Sequence, residues 1–386
     1  MANKVNQVYL DYAATTPMAE EAFEAMLPYF REEFGNPSSL HRFGQRAEAA
    51  LEEARETVAR HLNCDVEEVI FTSGGTESDN LALRGCALAR QRQNGANHIL
   101  ISAVEHHAVS HTAEQLAHHF GFEVETLPVD SQGMVSPEEV RKRIRPETAL
   151  VSIIYANNEI GTINRIDEIG KICREEGIPF HTDAVQATAY LPLDVNRLNI
   201  DLLSLGAHKF YGPKGIGVLY LRKDTPFISL QTGGGQEWGR RSGTPNVPYI
   251  VGMSAALKFV KAHQDLWKNT LVRLRDRLIE EVLAEIPNSQ LTGHRTQRLP
   301  NHASFVFEGV ESQRLVALLD NEGFACSSAS ACKTGNPSPS AVLLALGLPR
   351  ELAMGSLRVT LGKDTSEEDL DGFIRCLKSV IARLRR

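Results

Sequence analysis

The sequence lacks any Cys-x-x-Cys pair. Its six cysteines, Cys64, Cys86, Cys173, Cys326, Cys332 and Cys376, are scattered over 386 residues, which excludes a paired-thiol metal knuckle or a tight redox loop and leaves most of them as small buried hydrophobes. An excess of positive charge is also missing. The 41 Lys and Arg against 48 Asp and Glu give −7, which argues against a protein built to coat phosphate backbone, so no direct nucleic-acid ligand is expected. No apolar stretch approaches the ~20 residues needed to cross a bilayer, and the start, Met1 to Gln7, has no apolar signal core. A cytoplasmic protein with no membrane partner is therefore expected. Repeats and low-complexity tracts are absent too, and the length exceeds what one small core requires, so two domains are expected.

What is present is an alternation of elements. Gln45 to Leu62 repeats Ala47, Leu51, Ala54, Val58 and Leu62 on one helical face. Strands are expected at Val69 to Thr72, His98 to Ala103, Phe122 to Pro128, Leu150 to Tyr155, Leu202 to Leu205 and Gly217 to Leu221. Helices are expected at Glu77 to Gln91, at Ala108 to Phe120, and from a Ser136-Pro137-Glu138-Glu139 capping box toward Ile144. Continuous apolar runs separated by helical periods imply an α/β architecture with a mostly parallel sheet covered on both faces. Ligands then sit beyond the carboxyl ends of its strands. Tyr249 to Ile286 is helical for longer than usual, as one helix or two, and leads to a smaller region with segments at Ala303 to Phe307, Leu315 to Glu322 and Leu357 to Leu361. A last helix runs from about Glu367 to Leu384, with Thr365 or Ser366 as its cap.

Several stretches after these strands carry chemistry. Lys209, between the run ending Ser204-Leu205-Gly206 and the turn Gly212-Pro213-Lys214-Gly215, has the rigid support that Schiff-base formation requires, although an ordinary structural lysine fits the same pattern. Asp183 ends the short strand before Ala184-Val185-Gln186, a position suited to a hydrogen-bond hub or to a partner for a protonated ring nitrogen. Thr72-Ser73-Gly74-Gly75-Thr76-Glu77 offers N–H groups for a phosphate cradle, or only turn geometry; it is not a P-loop, since no Gly-Lys-Thr/Ser follows. His106 either stacks on an aromatic cofactor or is a capping or buried imidazole. His107 and His111 are four apart but have no evident third ligand, so no metal is expected. Arg358 suits a substrate carboxylate or an acidic neighbour equally. Cys332, followed by Lys333 and a Gly/Pro/Ser-rich stretch, reads as a loop thiol whose thiolate the lysine favours, whereas Cys326 after Phe324-Ala325 reads as packed.

Together these motifs resemble the cysteine desulfurases of aminotransferase class V, fold type I pyridoxal-phosphate enzymes of the NifS/IscS kind. The resemblance runs from Tyr9-Leu10-Asp11-Tyr12-Ala13-Ala14-Thr15-Thr16-Pro17 through Gly35-Asn36-Pro37-Ser38-Ser39, His41-Arg42-Phe43-Gly44, Glu105-His106, Asn157-Asn158-Glu159-Ile160-Gly161, His208-Lys209 and Arg240-Arg241-Ser242-Gly243-Thr244 to the last helix. It implies a large domain over 16–260 with a seven-stranded, mostly parallel sheet. Residues 1–15 and 261–386 would form a smaller α+β domain carrying a mobile loop at about 326–340.

By the same resemblance Lys209 bonds pyridoxal 5'-phosphate as a Schiff base and later moves the substrate Cα proton, Asp183 pairs with the ring nitrogen, and His106 stacks on the ring. Gln186 meets the phenolic oxygen and Asn158 orients cofactor and substrate. Gly75, Thr76 and His208 hold the phosphate, with Thr244 supplied by the other subunit of a homodimer. Arg358 and Asn36 take the carboxylate of L-cysteine, and Cys332 receives its sulfur as a persulfide and hands it to an iron-sulfur scaffold or a thiolation enzyme, leaving alanine. Three features depart from the family pattern: Gly206 stands where a hydroxyl residue is usual, Ala329 where glycine is usual, and the chain ends at Arg386 soon after the last helix. An aminotransferase or a cysteine or selenocysteine lyase of the same class would share the cofactor site without needing Cys332.

Overall fold

The computed structural model describes residues 7–328 and 338–386. After β1 (Val8–Tyr9) come β2 (Val69–Thr72), β3 (His98–Ser102), β4 (Glu123–Leu127), β5 (Thr148–Ser152), β6 (Phe180–Asp183), β7 (Leu202–Gly206) and β8 (Gly217–Leu221). Strands β2 to β8 form one seven-stranded sheet in the order β2-β8-β7-β6-β5-β3-β4. From β4 through β7 all neighbours are parallel, and only β8 reverses, running antiparallel to both β7 and β2. The α/β class and mostly parallel sheet expected from the sequence are present.

The apolar runs have a direct cause in this sheet. Every residue of β3, β5, β6, β7 and β8 is buried, because successive side chains enter two different cores. Val218 and Tyr220 join one cluster with Phe180, Leu203 and Leu205, while Leu219 and Leu221 join another with Ile70, Ile99 and Leu150. A strand buried on both faces has no polar alternation to show. The edge strand β4 differs: Glu123 and Glu125 face outward and pair with Arg145 and Arg143, charges that discourage pairing with another chain.

The rest of the chain adds β9 (Ser289–Leu291), β10 (His302–Phe307), β11 (Phe324–Ala325) and β12 (Ser356–Thr360). Three of these form an antiparallel sheet in the order β12-β10-β9, whereas β11 pairs in parallel with β1. Asp11 also bridges to Thr360, so the amino-terminal segment is bonded to strands more than 300 residues away before it passes Ala13 and Ala14. Tyr249 to Ile286 is one helix, Val247–Glu285, of 39 residues. Proline occurs only in its first turn, and Leu271, Leu274, Leu278 and Val282 keep one buried face to its end.

Two local expectations need correction. The helix expected from Glu77 starts at Gly75, with Gly74 at φ 152° as its cap. Gly75, the first helical residue, lies against Val185, whose Cγ2 would stand 2.6 Å from a Cβ there, so the position suits glycine. The Ser136 capping box does not form: the adjacent Glu138 carboxylate accepts the Ser136 hydroxyl at 2.7 Å, leaving Pro137–Arg143 without a side-chain cap. At the last helix, Glu367–Leu384, Ser366 is the cap and exchanges hydrogen bonds with Asp369, while Thr365 accepts from the Gly362 N–H. Among the described residues, no helix is long and apolar enough to cross a membrane.

Candidate active site

The parallel strands end on one side of the large sheet, and there the loops after β3, β5, β6 and β7 enclose a cavity of about 280 Å³. Gly75, Thr76, His106, Asn158, Asp183, Gln186, His208, Lys209 and Arg358 line it, together with Asp79 and the turn Ala13-Ala14. Nine residues singled out in the sequence thus converge although they span positions 75 to 358.

Lys209 follows β7 in a single 3-10 turn, Ala207–Lys209. Its Nζ donates to the carbonyl oxygens of Ala13 at 2.6 Å and Ala14 at 2.8 Å. Burial and the Arg358 guanidinium hold the amine down at about 8, against smaller upward pulls from Asp183 and Asp11. His208 donates to or accepts from Thr15 Oγ1 at 3.2 Å, and burial beside Lys209 and Lys214 pushes its imidazole down to about 4, so it is neutral. Gln186 Nε2 donates to Ala13 O at 2.9 Å. The amino-terminal turn therefore touches both Lys209 and Gln186.

Asp183 closes β6. Its Oδ1 accepts the Val185 N–H at 2.9 Å, and burial raises its pKa while His106 and Lys209 draw it down. His106 caps the helix His107–Phe120, its Nδ1 accepting from Ala108 N at 3.1 Å, so the capping alternative is what the structure shows, and its side chain also lines the cavity. Oxygens of Asp79 and Asp183 and a ring nitrogen of His106 lie within 4.8 Å of one another, a grouping the sequence did not reveal. His107 and His111 stack with centroids 4.6 Å apart.

Arg358 occupies the middle of β12, with Nη2 donating to Asp11 at 2.8 Å and Nη1 to the Asn158 carbonyl at 2.9 Å. Its Nε is buried and has no hydrogen-bond partner among the described residues. His302 Nε2 meets the same Asn158 carbonyl at 3.1 Å. Asn36 and Thr244 stand apart from this cavity: Asn36 is exposed and accepts the Ser38 N–H, and Thr244 is exposed beside Ser73, Glu237 and Arg241 on another concavity. Cys326 is buried and its thiol is pushed up to about 12, as expected for a packed residue. Cys332, Lys333 and Ala329 lie outside the described residues.

The sequence reading missed Asp79, Asp11 and the Ala13-Ala14 carbonyls. Asp79 sits within a helix, where only its burial marks it; Asp11 and Ala13-Ala14 reach the site from the opposite end of the chain.

The aminotransferase class-V family matches residues 8–373. The cysteine desulfurase IscS of Methanosarcina thermophila is 50% identical over 378 residues, covering 98% of this chain and 93% of that one. A cysteine desulfurase of Nostoc sp. is 43% identical over 378 residues, covering 98% and 94%. Among solved structures, a NifS-like protein superposes with a TM-score of 0.91 at 35% identity, covering 98% of this chain and all of that one. A structure described as SspA in complex with cysteine gives 0.80 at 36% identity, covering 92% and 98%. The chain belongs to aminotransferase class V and, within it, to the cysteine desulfurase family.

Proposed function

We propose that this protein is a pyridoxal-phosphate-dependent cysteine desulfurase, which converts L-cysteine to L-alanine and passes the sulfur to Cys332. The observation that carries this reading is the convergence of Lys209, Asp183, His106, Gln186, His208, Arg358 and the Gly75-Thr76 helix start on one cavity. The donor set fits the cofactor. An amine near neutrality suits an aldehyde, a buried carboxylate suits a protonated ring nitrogen, and N–H groups of a helix's first turn, which have no intrahelical acceptor, suit a phosphate. When bound, the cofactor supplies the electron sink for the substrate's Cα.

The chain's own residues do the rest. Asp183 holds the ring nitrogen's proton by charge, and neutral His208 with Thr76 accompanies the phosphate. Arg358, which lines the cavity and is fixed by Asp11 and the Asn158 carbonyl, would take the substrate carboxylate by its positive charge. Lys209 Nζ would move the proton at the substrate Cα. The Cys332 thiolate then attacks the substrate sulfur; an S–S bond forms, the Cβ–S bond breaks with its electrons passing to carbon, and protonation of that carbon completes alanine. Cys326 is unsuited to this attack because its thiol is buried and stays protonated at neutral pH.

Mass spectrometry after brief exposure to L-cysteine tests the assignment. A sulfur adduct is expected on Cys332, and Cys332→Ala should still take up the cofactor but lose the adduct and nearly all alanine formation. Cys326→Ala should keep both. An adduct on Cys326, or undiminished alanine from Cys332→Ala, contradicts the mechanism.

A further inference from the structure

Asp79 lies in the helix Gly75–Asn94, buried at the floor of the cavity, one turn past the Gly75-Thr76 start. Its Oδ1 has no hydrogen-bond partner among the described residues. From β6 come Asp183, with an oxygen within 4.8 Å, and His181, whose Nε2 is 3.6 Å from Oδ1. From β7 comes the Ser204 hydroxyl, 3.1 Å from His181 Nε2; Ser152 on β5 meets His181 Nδ1 at 2.8 Å. Glu105 follows β3, its Oε1 accepting from Ser102 and the Ile154 N–H while Oε2 is an orphan.

His106, the cap of the helix His107–Phe120, also reaches this set, with a ring nitrogen within 4.8 Å of oxygens of both Asp79 and Asp183. His181 is buried between two serines and its imidazole is pushed down to about 3, so it is neutral. The acidic neighbours are Asp183 and Glu105. Two carboxylates this close in a buried site do not both ionise, since their repulsion adds to the loss of hydration. The environment is unequal: Asp183 accepts the Val185 N–H and faces Lys209, whereas Asp79 has the Ser204 hydroxyl and an orphan oxygen; His106 stands near both. The charge therefore goes to Asp183 and the proton to Asp79. Protonation also suits the orphan oxygen, because a neutral acid leaves less charge without a partner in a buried site.

We propose that Asp79 is a positioning residue that stays a neutral carboxylic acid and, as the protonated member of a carboxyl pair, confines the negative charge beneath the ring nitrogen to Asp183. The purpose rests on reading the cavity as the pyridoxal phosphate site, where that charge has its partner. Burial and the charge of Asp183 both act in the direction of keeping the Asp79 proton.

Infrared difference spectra of the full chain, unlabelled against carbon-13-aspartate-labelled, test this without any cofactor. At pH 8 the account expects an acid carbonyl band that moves with the aspartate label and is absent from Asp79→Asn; the label separates it from Glu105. Lack of that band, or its persistence in Asp79→Asn, overturns the proposal. The second readout is cofactor affinity. Asp79→Leu, which removes the donor, should weaken pyridoxal phosphate binding about tenfold, and Asp79→Asn, which keeps a neutral donor, should recover it to within about threefold. Were Asp79 an anion, Asn would fail as Leu does; binding unchanged in both variants would leave Asp79 with no positioning role. If Asp79→Leu does not fold, the band in the wild-type protein still decides. A wild-type chain that binds no pyridoxal phosphate overturns the reading of the cavity, whereas the infrared band judges Asp79 independently.

Discussion

Lys209 shows how a single residue acquires its chemistry from distant parts of the chain. Its position after an apolar strand is legible in the sequence, but its lowered proton affinity comes from burial and from Arg358, 149 positions further on. Because only the free amine attacks an aldehyde, uptake of pyridoxal phosphate by the cofactor-free protein should quicken about tenfold per pH unit and level off above a midpoint near 8. Stopped-flow absorbance measures this; a midpoint near that of an ordinary lysine would contradict the burial argument. Lys209→Ala should form no Schiff-base band at any pH. Gly206 offers a second test. A Cβ there would sit 3.4 Å from the Gly75 N and 3.6 Å from Val185, ordinary contacts, and its φ of −138° suits any residue. Gly206→Ser should therefore fit and place a hydroxyl beside the cradle, tightening cofactor binding several-fold, up to about tenfold. Weaker binding by a folded Gly206→Ser would show that the helix start needs that space.

At the scale of elements, strands and their ends were legible because period and apolar runs are local properties, while caps depended on which acceptor lay nearest. Ser366 and Ser136 look alike in sequence, yet only Ser366 caps, because Glu138 captures the Ser136 hydroxyl. Ser366→Ala should cost about 1 kcal/mol, read from urea unfolding, and Ser136→Ala much less. Equal costs would refute the distinction. The turn after β3 carries a pH signature. Burial pushes Glu105 up to about 8 in the folded chain, so between pH 4.5 and 8 the folded state holds a proton that the unfolded state has lost. Stability contributed there is full below pH 4.5 and falls as pH rises through 8, by an amount on the order of a few kcal/mol. Glu159, pushed up to about 7, acts in the same sense. Glu105→Gln cannot ionise and should make the decline of the urea midpoint between pH 5 and 8 shallower; an unchanged slope would mean that Glu105 is charged in the folded protein.

For the whole molecule, the mostly parallel sheet explains why so much of the site could be read in advance: each strand end delivers one motif to the same side. What could not be read were the long-range partners. Arg358 meets Asp11 across 347 positions, and Lys209 meets Ala13 across 196. Nothing local in either segment announces such a pairing. Thr244 stands exposed outside the cavity of its own chain. With the proposed role at a partner's phosphate, the active species should sediment as a homodimer, and Thr244→Ala should weaken cofactor binding; full activity in a monomer would contradict that role. The most direct measurement of the central claim is the incubation of the cofactor-loaded protein with L-cysteine and a reductant, assaying alanine and sulfide together. The account expects equal amounts of both, with neither formed by Lys209→Ala or Cys332→Ala. Pyruvate and ammonia in place of alanine, or alanine formed without matching sulfide, would contradict it.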